Sequence, residues 1–141
     1  MKKNILKLSV MVFGVMLMAA AIVASASSYT NIVSITTPSW GGVSQNHTTY
    51  NSKSDDTSKG TIYTTYQATA LQHSISLTYI NYTGNTWVQG SDWVAAQVDS
   101  IKRPELWLTT TGTTFFSQAK SNNLEPTNNT VVKFRFSADT M

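Results

Sequence analysis

Val131-Val132-Lys133-Phe134-Arg135-Phe136-Ser137 decides the fold class. Successive side chains of an extended chain point to opposite faces. Val132, Phe134 and Phe136 therefore share one face, and Val131, Lys133, Arg135 and Ser137 share the other. This is the period-2 pattern of a strand with one buried face and one wet face. A register slip of a single residue would bury both cations, and an unpaired buried charge costs several kcal/mol. Val132, Phe134 and Phe136 are accordingly expected in the core, with Lys133 and Arg135 in solvent. Ser137 to Met141 reads as a free tail that should be removable after Ala138, whereas truncation before Val131 should abolish folding.

Moving outward from this run, the same alternation recurs. Ser74 to Tyr82 sets Ile75, Leu77 and Tyr79 against Ser76 and Thr78. Asn31 to Thr37 is β-branched and is closed by Pro38; Thr61 to Leu71 opens on Ile62-Tyr63-Thr64-Thr65-Tyr66. Glu105 to Thr110 places Leu106 and Leu108 on one side, then turns at Thr111-Gly112 into Thr113 to Gln118. Between the runs lie Pro38-Ser39-Trp40-Gly41-Gly42, the polar stretch Asn51 to Gly60, the hairpin-like Thr83-Gly84-Asn85 and the Pro126-containing stretch Ser121 to Asn129. Ser91 to Ile101 fits helical spacing through Val94, Val98 and Ile101 and strand spacing through Val94, Ala96 and Val98. A lone helix among sheets is the poorer fit, so strand is preferred. About seven or eight short strands punctuated by turns describe an all-β protein, a single small antiparallel β-sandwich or small barrel.

Residues 1–26 read as a secretory signal: Lys2, Lys3 and Lys7, an apolar run from Leu8 to Val23, then Ala24-Ser25-Ala26 as the cleavage triplet. The apolar run is short of the roughly 20 residues a spanning helix needs. With no cysteine to carry a lipid, a released, extracellular protein is expected, touching the membrane only during export. The style of this leader fits a bacterium with one membrane. The remaining domain, 27–141, then holds seven of the chain's 10 Lys+Arg and all of its 7 Asp+Glu. The basic balance belongs to the leader and argues for no nucleic-acid partner. The 21 Thr, 15 Ser and 9 Asn of the domain suit pleated surfaces and turns. Without cysteine, this domain must be held by its core rather than by disulfides.

The chain carries no motif that fixes a chemistry. His47 and His73 are the only histidines, neither has a flanking carboxylate, and no G-x-S-x-G elbow is present. Asp55 and Asp56 are adjacent in a polar stretch, and Asp92, Asp99 and Glu105 form no matched acid pair. The oxygen-rich run Asn51 to Gly60 lacks the spacing and terminal glutamate of a calcium loop and contains two lysines. No catalytic residue, metal or cofactor is therefore expected. The sequons at Asn46, Asn81 and Asn128 are what chance gives in this composition.

Aromatics are the remaining signal. Trp40, Trp87, Trp93 and Trp107 all lie in the domain. If Leu106 and Leu108 face inward, Trp107 faces out, and Trp87 and Trp93 bracket Val88 to Asp92, read as an exposed loop. Outward tryptophans offer a stacking surface for a sugar or peptide. The competing expectation, which carries more weight, is core packing, with a second sheet covering Trp107 and with Trp87 and Trp93 plugging the ends of the sandwich. The expected function is thus non-catalytic binding of an extracellular or cell-surface ligand, a cell-wall glycan or surface protein, through Trp87, Trp93 and Trp107. A second expectation is a bacteriocin-like antagonist acting on a neighbouring cell envelope, against which stands the domain's lack of basic excess.

Overall fold

A computed structural model describes residues 27–81 and 83–141, so residues 1–26, expected to be a secretory leader, lie outside the described residues. The described chain is all-β. Its strands are β1 (Val33–Thr37), β2 (His47–Ser52), β3 (Thr61–Gln67), β4 (Ser74–Asn81), β5 (Thr86–Gln89), β6 (Val94–Ala95), β7 (Ser100–Lys102), β8 (Thr114–Lys120) and β9 (Thr130–Ser137). They form two antiparallel sheets. Sheet A runs β1-β9-β3-β7, and sheet B runs β2-β8-β4-β5 with β6 also pairing β4. The arrangement is a β-sandwich.

The C-terminal run behaves as its alternation dictates. Val132, Phe134 and Phe136 are fully buried, while Lys133 and Arg135 are exposed. The strand is central because β9 pairs with both β1 and β3, in the registers Val33↔Phe134 and Ile62↔Phe136. Val33, Ile35 and Ile62 from sheet A meet Ile75, Leu77, Phe115 and Ala119 from sheet B in one core. Gly90, just beyond β5, is required for this packing: a Cβ there would come within 2.9 Å of the rings of both Phe115 and Tyr79.

Several local expectations are corrected. His47 to Ser52 is a strand with no apolar alternation to betray it, and its last residues come from the stretch read as loop. Glu105 to Thr110 is not a strand; Glu105 and Leu106 make only isolated bridges, to Lys59 and Ser91. Leu106 is nevertheless buried and Trp107 exposed, as the alternation requires. Ser91 to Ile101 contains no helix. It holds β6 and β7 separated by a turn at Val98 and Asp99, with Asp99 at φ 57°. Val98 is therefore exposed rather than aligned with Val94 and Ala96.

The tail is also not free. Ala138 and Asp139 are buried. The Ala138 N–H donates to Asn51 Oδ1 at 2.7 Å, Thr61 Oγ1 donates to the Asp139 carbonyl at 2.9 Å, and the Met141 N–H donates back to Thr61 Oγ1 at 2.9 Å. The Asp139 carboxylate accepts from Ser54 N–H at 3.1 Å and Ser54 Oγ at 2.6 Å, and lies 3.5 Å from the fully buried Lys53 Nζ. Lys53 also donates to the Ala138 carbonyl at 3.1 Å and approaches Asp55 at 3.5 Å. A buried ammonium survives only when paired and hydrogen-bonded in this way. The last residues thus close the sandwich instead of trailing from it, because the polar stretch after β2 contains one cation that needs them.

Candidate ligand-binding face

The outer face of sheet B carries a group of aromatic residues that the core does not use. On β8, Phe115, Ser117 and Ala119 point inward, so Thr114, Phe116, Gln118 and Lys120 point outward. On β4, Ile75 and Leu77 are in the core, and Ser76, Thr78 and Ile80 take the other face. The register sets Thr78 against Phe116 on one side and against Gln89 on the other, with Ile80 opposite Trp87.

Trp87 on β5 and Phe116 on β8 meet across the intervening β4. Their ring centroids are 4.8 Å apart at 87°, and Tyr50 on β2 stands 6.0 Å from Phe116 on the far side. An edge-to-face contact occupies one face of one ring only. Trp87 remains 44% exposed and Tyr50 62% exposed. Beside this trio lies an open cavity of about 380 Å³ lined by Ile80, Asn81, Asn85, Thr114 and Phe116. Asn81 is pinned, its Oδ1 accepting from both the N–H and the hydroxyl of Thr83, while Asn85 holds φ 47° in the hairpin turn.

The other end of the face repeats the device with a cation. Val94 pairs with Ile75 and packs toward the core, so Trp93 before it follows the alternation to the outer face. Lys120 on β8 reaches across β4 to place its Nζ 4.7 Å from the Trp93 ring centroid. Between the two ends, Asn46 reaches over β8, where its Oδ1 accepts from Thr78 Oγ1 at 2.7 Å. Ser76 and Thr78 lie beneath these bridges and are buried although they are on the outer face. Phe116 and Lys120 are four residues apart, roughly 13 Å along the strand.

Of the three tryptophans singled out from sequence, Trp87 and Trp93 share this face, but Val88 to Asp92 is no exposed loop. It is β5 and the buried Gly90-Ser91. Trp107 is 57% exposed and sits outside both clusters, in the segment whose N–H groups bond Ser58 and Gly90 carbonyls. Tyr50 and Phe116 were missed. Phe116 was legible, since Phe115 and Phe116 cannot share a face; Tyr50 lies on the strand that shows no apolar period.

The histidines and carboxylates serve the strands. His47 Nδ1 accepts from the Thr49 N–H at 3.0 Å, and the buried His73 shares a 2.9 Å hydrogen bond with Thr130 Oγ1. Burial pushes the His73 pKa down, partly opposed by the charge of Glu125. Hydrogen bonds from Thr57 hold Asp55 down at about 2, and those from Thr127 lower Glu125. Among the described residues, no group of three or more His, Cys, Asp or Glu is placed to hold a metal ion. No family model, no curated protein and no solved structure matches the chain.

Proposed function

We propose that the protein is exported and acts without catalysis, binding an extracellular glycan of the cell surface through the outer face of sheet B. The observation that carries this reading is the Tyr50–Phe116–Trp87 cluster standing in solvent beside a cavity lined by Asn81, Asn85 and Thr114. A sugar ring has apolar C–H faces and a rim of hydroxyls. Partly exposed rings accept the faces, and fixed amides and hydroxyls accept the rim. The aromatic cluster rides on the paired strands β2, β8 and β5, and only Asn85 comes from the hairpin turn, so the stacking geometry is set before the ligand arrives. Amphipathic aromatics of this kind are retained on a surface at the cost of exposed apolar area, which points to an interaction.

The experiment is a pull-down on purified cell wall followed by a glycan panel, using the domain 27–141 and its Trp87→Ala variant. Retention of the parent and loss of retention by the variant, at unchanged melting temperature, is the expected result. No binding at millimolar glycan would sink the reading.

A further inference from the structure

Resting on that reading, we infer that Lys120 makes the far end of the same face an anion subsite, so that the glycan bound carries an anionic oxygen group, a carboxylate or a phosphodiester. Lys120 is a cation without a countercharge. Among the described residues Lys53 is matched by Asp139 and Asp55 and Lys59 by Glu105, whereas no carboxylate lies within salt-bridge distance of Lys120, Lys102, Lys133 or Arg135. Lys133 rests over Tyr66 much as Lys120 rests over Trp93; what sets Lys120 apart is that it shares its face with the Trp87–Phe116 cluster. Its ammonium is instead held over the Trp93 ring, an arrangement that fixes the charge in place without neutralising it.

The space beside it is built from neutral hydrogen-bonding groups. A cavity of about 210 Å³ is lined by Gln72, Ser74, Lys120, Ser121, Asn122 and Asn123, with no acidic side chain among them. Asn122 Oδ1 already accepts the Leu124 N–H at 2.9 Å, which leaves its amide N–H groups as the donors for a ligand. Lys120 shares this lining with amide and hydroxyl side chains, a donor set that suits an anionic oxygen, and a charge-assisted bond from its ammonium is stronger than a neutral one. The roughly 13 Å between Phe116 and Lys120 leaves room for several linked sugar units between the stacking end and the charged end. Lys120 therefore acts as a specificity residue, whereas Trp87 carries binding to neutral and anionic glycans alike.

The test is calorimetric titration of the domain, at low salt, with three oligomers of matched length: neutral, uronic-acid-containing and phosphodiester-linked. Lys120→Gln and Trp87→Ala are titrated in parallel. One anionic oligomer should bind about tenfold more tightly than the neutral one, and which of the two does so identifies the group. Lys120→Gln should erase that preference, bringing the anionic affinity down to that for the neutral oligomer, and about 0.5 M salt should do the same for the parent. Equal affinity of parent and Lys120→Gln for both anionic oligomers would overturn the subsite while leaving the glycan face standing. Identical titrations for parent and Trp87→Ala would remove the face itself, and the subsite with it.

Discussion

Replacing Asp139 with Asn should destabilise the sandwich at its C-terminal closure. Asp139 is buried, and its carboxylate takes hydrogen bonds from Ser54 N–H and Oγ while facing Lys53 Nζ at 3.5 Å. The amide keeps the volume and removes the charge. Lys53, fully buried, is then left with the Ala138 carbonyl, the Thr57 hydroxyl and the more exposed Asp55. Breaking a buried pair from one side costs about 3–5 kcal/mol, and the second carboxylate at Asp55 argues for the lower end. An unfolding entropy of about 2.1 cal/mol/K per residue makes each kcal/mol worth about 4 °C in a domain of this length, so Tm should fall by about 12 °C. Scanning calorimetry of the domain reads this directly. Lys53→Met combined with Asp139→Asn should recover most of the loss, since Met leaves no buried charge to compensate and the Asn oxygen still accepts from Ser54. A Tm within about 3 °C of the parent for Asp139→Asn alone would refute the reasoning, because Lys53 would then need no partner.

The other expectations concern the core and its titration. Phe134→Ala removes a fully buried ring from the central strand of sheet A and should cost about 3–5 kcal/mol in urea unfolding; an unchanged midpoint would contradict the packing described. Among the described residues Thr64 Oγ1 is buried without a hydrogen-bond partner, so Thr64→Val should stabilise the domain by about 1 kcal/mol, read as a higher urea midpoint. His73 is buried neutral, with its pKa below that of the unfolded chain. Its contribution to stability is complete above pH ~6.5 and is lost as the pH falls from there towards the lower native value, because the unfolded state binds the proton first. Melting curves should be flat from pH 8 to about 6.5 and decline below it, and His73→Gln should reduce that decline.

The core was legible because apolar residues alternate where they line it: Val132-Phe134-Phe136 and Ile75-Leu77 name their own faces. The polar strand β2 was not, since His47-Thr48-Thr49-Tyr50-Asn51-Ser52 shows no apolar period, and only its pairing with β8 makes it a strand. Lys53, in the polar stretch that follows, carries no sign of its burial for the same reason. Its burial follows from Asp139, 86 residues away, and no local window holds both. The candidate face was half visible. Trp87 and Trp93 were candidates by residue type, but their face depends on which strand lies between them and β8. That is a property of sheet order, with β4 between β5 and β8, and no single strand encodes it.

The most direct test of the central claim is amide and indole chemical-shift mapping of the labelled domain during titration with a cell-surface glycan. The account predicts that shifts concentrate on Trp87, Phe116, Tyr50, Asn81, Asn85 and Thr114, with Trp107 and the outer face of sheet A unmoved. Shifts centred on Trp107, or on Lys133 and Arg135 of sheet A, would contradict it.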